Sequence, residues 1–381
     1  MENRKSNPID DIYRNFFKWI KGVPVHTPRQ MYNALSSKGY YGQEEARKSV
    51  CLMAYRHVKR MKYMYLDNIP ACELPAKDNY LLIGPTGCGK TYLIELLFRD
   101  YLSIPTIIVD ITNYSETGYV GQDVLTILTR LFYVSDMNIL KTQIGIVCLD
   151  EFDKIATTQN RAVFAGAGTT KDVTGLGVQR ELLKILEASE VPMPTEFSHS
   201  TMQERIFIDT RNISFVACGA FSGFKAISKS RLTTENIGFS RKNIEDLKET
   251  VAVKYEQDEV DNIANFQEYG FLPELIARFS RIIPFQPLSK EILLKILQCN
   301  VIEGFTREFK LHDIELKIDE SVYDFVINQA IKKETGARGL QSTLTRYLEN
   351  SAFEAFSNPK IKRIFMYCKD NEIKTEENID K

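Results

Sequence analysis

The chain has 381 residues, enough for two domains, and its 49 basic and 50 acidic residues leave a formal net charge of -1, which argues against a protein that mainly coats nucleic acid or anionic membrane. Seven cysteines stand singly, at Cys51, Cys72, Cys88, Cys148, Cys218, Cys299 and Cys368, with no Cys-x-x-Cys pair, so neither a disulfide framework nor a zinc site is expected and a reducing compartment fits best. No apolar run approaches the roughly 20 residues needed to cross a bilayer, and acidic residues near the start do not suit a signal or transit peptide, so a soluble, cytoplasmic protein is expected.

From the amino end, Asn7 and Pro8 make a helix start, after which Ile9, Ile12, Tyr13, Phe16, Trp19 and Ile20 fall at helical spacing until Gly22 and Pro24. This short amphipathic helix packs on its own chain, serves as a docking arm for a partner or, third, lies on a membrane surface. A second helix begins with Thr27 as cap, Pro28 at the first helical position and Gln30 placed to close a capping box. Tyr41-Gly42-Gln43 interrupts the chain before a long helix with Ala46, Val50, Met53, Ala54 and Val58 on its inner face. From residue 79 short apolar strands alternate with helices, at 79 to 84, 106 to 111, 144 to 149, 213 to 219 and 281 to 285, which indicates a parallel sheet buried on both faces.

The first of these strands runs directly into Gly84-Pro85-Thr86-Gly87-Cys88-Gly89-Lys90-Thr91, a complete G-x-x-x-x-G-K-T phosphate loop with a strand before it and a helix after. Glycines let backbone N–H groups curl around phosphate oxygens, the helix presents its positive end, Lys90 reaches the outer phosphates and Thr91 offers a hydroxyl to Mg²⁺. The strand Ile146-Val147-Cys148-Leu149 ends in Asp150-Glu151, the pairing such a site needs: Asp150 to hold the metal, Glu151 to act as general base on water. Cys88 reads as a small residue at a variable position; the alternative is a thiolate favoured by the helix terminus and attacked by thiol reagents.

Beyond Pro287 the pattern turns to amphipathic helices, at about 289 to 310, 320 to 333 and 338 to 356, with strands at 313 to 318 and 361 to 368. The resulting plan is an arm over 1–26, a large domain over 27–286, a mostly helical small domain over 287–368, and a polar, disordered tail over 369–381.

Gly118-Tyr119-Val120-Gly121 carries the reading further, because it is similar to the aromatic pore loop of ClpX and its relatives, AAA+ ATPases that unfold proteins. The resemblance runs from Thr27 to about Cys368. It implies an α/β fold, a P-loop AAA+ domain with a five-stranded parallel sheet followed by a small helical lid, and ATP with Mg²⁺ as ligands. It further implies Tyr41, Gly42 and Gln43 near the nucleotide base, Tyr119 and Val120 gripping substrate, and Lys171, Asp172 and Val173 in a second pore loop. An aromatic ring offers a large contact with little rotamer entropy to lose.

Pro273-Glu274-Leu275-Ile276-Ala277-Arg278-Phe279 resembles the family's arginine-finger segment, implying that Arg278 reaches a neighbouring subunit's ATP. Gly336-Ala337-Arg338-Gly339-Leu340 is similar to the sensor-two motif, which brings Arg338 from the lid onto its own subunit's phosphates. Ile237-Gly238-Phe239 resembles the loop by which ClpX docks the peptidase ClpP. The expected assembly is a hexameric ring acting on protein substrates and partnered by a ClpP-type peptidase, without membrane, zinc or nucleic acid. The family's amino-terminal zinc-binding domain is missing, and so is the basic Arg-Lys-His loop from Val191 to Glu204, so substrate choice does not carry over. Remodelling without proteolysis, or an AAA+ ATPase associated with nucleic acid, stands as the alternative.

Overall fold

The computed structural model describes residues 8–115, 122–157, 173–187, 190–193, 206–228, 254–370 and 372–379. The expected pore-loop residues Tyr119, Val120, Lys171 and Asp172 and the tripeptide Ile237-Gly238-Phe239 lie outside these residues.

The apolar runs form five parallel strands, β1 Tyr80–Ile83, β2 Thr106–Asp110, β3 Ile146–Asp150, β4 Ser214–Gly219 and β5 Arg281–Pro284, in the order β2-β3-β4-β1-β5. Side chains alternate across a strand, so every second residue enters a different core. Leu81, Ile83, Val147, Leu149, Phe215 and Ala217 point into one, with Ile127, Leu128, Val178 and Leu182 from α5 Thr126–Val134 and α6 Val173–Leu186. Tyr80, Leu82, Ile146, Cys148, Val216 and Cys218 point into the other.

That second core is covered by α1 Pro8–Gly22, α2 Pro28–Ser37, α3 Glu44–Tyr65 and α4 Lys90–Ile94, the last continuing through π-helical turns over Glu95–Tyr101. In α1 the side chains of Phe16 and Ile20 are fully buried, and the Phe16 ring meets Tyr65 of α3 edge-on at 4.8 Å. The helix therefore packs on its own chain. The cap of α2 closes as its sequence requires: the Gln30 N–H donates to Thr27 Oγ1 at 3.2 Å, and the Thr27 N–H donates to Gln30 Oε1 at 2.8 Å.

After β5 the chain builds a separate core around Leu297, Phe309, Val326, Leu340, Leu344 and Ile364. Its helices are α7 Lys290–Ile296, leading through π-helical turns over Leu297–Ile302 into α8 Glu303–Leu311, then α9 Glu320–Lys332 and α10 Gly336–Ser357. A three-stranded sheet of β6 Glu315–Ile318, β7 Ile361–Lys369 and β8 Glu372–Ile379 flanks them.

Strand β8 corrects the expectation of a disordered tail over 369–381. The chain reverses at Asp370, which takes the left-handed backbone (φ 54°) that a tight hairpin demands, and Lys369 pairs with Glu372. Alternate residues then find partners: Ile373 is buried in the lid core, and Thr375 Oγ1 accepts from Ser351 Oγ of α10 at 2.7 Å. A charged composition reads as solvated, but a period of two needs only every second side chain to be buried.

Candidate functional site

The order of the strands brings the carboxyl ends of β1, β3 and β4 side by side, with β4 in the middle, and the lid closes over them. Between lies a cleft of about 350 Å³. Its phosphate end is lined by Thr86 to Thr91, Asp150, Glu151, Gly219 and Ala220, its other end by Tyr40, Tyr41, Leu288, Ile296 and Val301, and Arg338 and Gln341 face in from α10. A polar, cationic end joined to an aromatic and aliphatic end is the shape and chemistry of a nucleotide site.

Lys90 is buried, and its Nζ donates to the carbonyls of Gly84 (2.6 Å) and Pro85 (2.9 Å). Gly84 and Pro85 thus hold the lysine from behind and are not part of the cleft wall. Thr91 Oγ1 donates to Asp150 Oδ2 at 3.0 Å, which links the first turn of α4 to the end of β3. A hydroxyl and a carboxylate so close together form a hard oxygen donor pair that suits Mg²⁺. Glu151 has φ 56°, a left-handed conformation uncommon for a residue other than glycine, and its N–H donates to Asp150 Oδ1 at 3.0 Å. Strain of this kind concentrates at functional positions.

The lid touches the phosphate loop directly. The Ala337 N–H donates to the carbonyl of Gly87 at 3.0 Å. A Cβ on Gly87 (φ 72°) would stand 2.2 Å from the Thr335 carbonyl oxygen, and one on Gly336 (φ 57°) 2.7 Å from the Gly87 carbonyl oxygen. Both glycines are needed for this approach, which sets Arg338, two residues further on, into the wall of the cleft.

Gly42 and Gln43, expected near the base, are not among the residues that line the cleft. The Gln43 amide donates to the Gln286 carbonyl at 2.6 Å and to the Cys88 carbonyl of the phosphate loop at 3.4 Å, and accepts from the Gln286 N–H at 3.0 Å, so it ties the segment leading into the lid to the phosphate loop. Gly42 lies against Ile292 of α7. Tyr41 does line the cleft, next to Tyr40, whose hydroxyl donates to the Gly89 carbonyl at 3.1 Å and whose ring stacks on Tyr92 at 5.9 Å. Burial, with the Cys88 thiol nearby, holds the Tyr40 hydroxyl well above the usual tyrosine range, so it remains a proton donor to that carbonyl.

Cys88 is 3 % exposed, and burial raises its pKa even though the Lys90 ammonium works against the rise. The helix terminus does not prevail there, because a thiolate out of water costs more than the terminal dipole returns. Alkylating reagents are therefore expected to label the exposed Cys72 and Cys299 rapidly and to leave Cys88, Cys148 and Cys218 unmodified in the native protein. Peptide mass spectrometry after a timed pulse checks this; early adducts on Cys88 would show the thiolate reading to be right.

Arg278 is not in this cleft. It is 45 % exposed at the side chain and pairs at 2.5 Å with Glu187, just beyond α6. Sequence reasoning missed Tyr40, Leu288, Ile296, Asn300, Val301 and Gln341. The apolar ones sit on periodic stripes that look like ordinary core positions, and only Tyr40 carried a local signal, by preceding the break at Tyr41-Gly42.

Sequence comparison agrees with the geometry. Residues 76–282 match the AAA domain (Cdc48 subfamily), and residues 288–364 match the C-terminal, D2-small domain of ClpB protein. Proteins called ATP-dependent Clp protease ATP-binding subunit ClpX are similar over most of their length. The one from Treponema denticola is 34 % identical over 92 % of this chain and 83 % of its own, that from Borrelia duttonii 33 % over 93 % and 80 %, and that from Azotobacter vinelandii 33 % over 89 % and 76 %. With its phosphate loop, carboxylate pair and lid arginine around one cleft, the chain is an ATPase and belongs to the ClpX family of AAA+ proteins.

Proposed function

We propose that this ATPase unfolds proteins and threads them through the central pore of a hexameric ring in the cytoplasm, delivering them to a ClpP-type peptidase. The observation that supports an assembled machine best is the position of Arg278: it stands away from its own cleft, half-exposed, in an exposed ion pair with Glu187 that a stronger anion can replace. A guanidinium so placed is free to meet the γ-phosphate in an adjacent copy.

Within one chain, Lys90 and the backbone N–H groups of Thr86 to Thr91 bind and orient the phosphates, and Glu151 takes the proton from the attacking water. Thr91 and Asp150 hold Mg²⁺, which when bound supplies positive charge to the phosphate oxygens. Arg338 joins the phosphates to the lid, so that hydrolysis changes how lid and large domain fit together. Tyr119 and Val120, with Lys171, Asp172 and Val173, carry that movement to the substrate, and Ile237-Gly238-Phe239 docks the peptidase.

The test is degradation of a tagged fluorescent protein with added ClpP peptidase, followed together with ATP hydrolysis. Phe239→Ala is expected to abolish degradation and keep both ATPase and unfolding; Tyr119→Ala is expected to lose unfolding. Unfolding that depends on Tyr119, with no degradation by the wild type, would make the protein a remodeller that works without a peptidase.

A further inference from the structure

At the opposite edge of the sheet, where β1 and β4 begin, lies a second cavity of about 490 Å³. Arg56, Lys59, Arg60 and Lys77 line it against one carboxylate, Asp78. Asp78 stands 3.5 Å from Arg56, a long contact. Among the described residues no carboxylate forms a direct ion pair with the other three cations; Asp209, which is engaged by Arg211, acts on Lys77 only from a distance.

Neutral oxygens hold two of them. Lys77 Nζ donates to the carbonyls of Thr210 (2.8 Å) and Ile213 (2.7 Å), and Arg60 donates to Asn212 Oδ1 (3.1 and 3.2 Å) and to the carbonyls of Ala71 and Pro75. The ammonium of Lys59 lies 5.3 Å over the Tyr63 ring. An ammonium has three donors; Lys77 uses two on carbonyls and lies 5.0 Å from the Phe215 ring, so among the described residues one N–H has no oxygen partner. Dipoles satisfy hydrogen bonds without cancelling charge. The strain shows in Lys77, which burial lowers to about 7, and in Arg60, lowered by the same cause.

Aromatic and aliphatic groups, Tyr55, Tyr63, Leu74 and Pro75, complete the wall. Arg56, Lys59 and Arg60 share one face of α3, and Lys77 enters the same cavity from the segment before β1, so the four cations surround one bounded volume, which favours a compact polyanion over an extended acidic chain. We propose that this cavity is a second ligand site, for a small phosphorylated metabolite whose phosphate is held by Arg56, Lys59 and Lys77 and whose body lies against Tyr55 and Tyr63. The ligand would add a bridge between α3, the segment entering β1 and the first residue of β4, elements already tied here by the Arg60, Lys77 and His57–Ser214 hydrogen bonds.

Calorimetric titration of the full chain with sodium pyrophosphate and with adenosine monophosphate tests the site, after the nucleotide cleft has been saturated with a non-hydrolysable ATP analogue, and again in Lys90→Ala. Saturable binding is expected in both. Lys59→Ala and Arg56→Ala, at exposed or half-buried positions, should each weaken it about tenfold. Ala76→Trp, at the exposed rim, should block it, and none of the three should change ATP hydrolysis. Absence of binding in both proteins would overturn the proposal, as would binding that survives all three substitutions. So would binding of polyglutamate with none of either phosphate compound, which would make the cavity a docking point for acidic chain. Because the readout is binding away from the cleft, its failure leaves the ring and pore reading untouched.

Discussion

Mixing Arg278→Ala chains with Glu151→Gln chains is expected to restore ATP hydrolysis that neither variant performs alone. Glu151→Gln keeps the shape of the cleft and removes the base, a loss of about 10² to 10⁴ in turnover. Arg278→Ala removes the charge proposed to stabilise the transferring phosphoryl group, an expected loss of about 10³ to 10⁵. In a head-to-tail ring each working site takes Glu151 from one copy and Arg278 from the next. A random one-to-one mixture then recreates an intact site at about a quarter of the interfaces, those where an Arg278→Ala chain is followed by a Glu151→Gln chain. Steady-state phosphate release measures it. If both residues served the same chain's ATP, mixing would restore nothing. The exposed Arg278–Glu187 pair, away from the cleft wall, is the structural reason to expect restoration. ATP binding by Glu151→Gln, followed with a fluorescent analogue, should persist, because Lys90, Thr91 and the loop backbone are unchanged.

The second large effect is on stability in acid. His57 is buried on α3, its Nε2 2.8 Å from the Ile144 carbonyl and its Nδ1 3.1 Å from Ser214 Oγ. The carbonyl can only accept, so Nε2 carries the hydrogen and Nδ1 accepts from the serine: the neutral ring satisfies both contacts. Burial, reinforced by the positive charges of Arg60 and Lys77, lowers its pKa to about 4. An unfolded histidine titrates near 6.5. Between those values the unfolded chain holds a proton that the folded chain does not, so stability falls as pH drops from about 6.5 to about 4 and this contribution is flat on either side. The full loss from this one group is roughly 3 kcal/mol. Urea unfolding at a series of pH values measures it, and His57→Gln should flatten that interval. An unchanged slope in the variant would assign the acid sensitivity to other groups. Lys77 adds a separate rise in stability with pH, from about 7 up to the unfolded lysine value, because its folded pKa is also lowered.

Much of this protein could be read from its residues in order. Strands β1 to β5 announce themselves as short Ile, Val and Leu runs, Thr27-Pro28 and Gln30 dictate a cap, and Gly84 to Thr91 can hardly be anything but a phosphate loop. Each of these depends on interactions within a few residues, which is why sequence reveals them.

Contacts between distant residues were a different matter. The Gln43 amide ties the main chain of Gln286 to that of Cys88, and nothing near Gln43 in the chain could foretell that. Cys88 was weighed as a thiolate from its place at a helix terminus; the packing above it decides that it stays protonated. Residues 372–379 seemed too charged to order, and they form a strand because β7 offers an edge and α10 offers Ser351.

By itself the sequence determined the local pieces, the chemistry of the phosphate loop and the kinship with ClpX. Only the tertiary structure decided the strand order that sets Thr91 3.0 Å from Asp150, the meeting of Gly87 with Gly336, and the cationic cavity beneath β1 and β4. Parallel strands pair across long intervening segments, and burial of a charge is settled by whatever packs over it, so neither is encoded in any short stretch of chain.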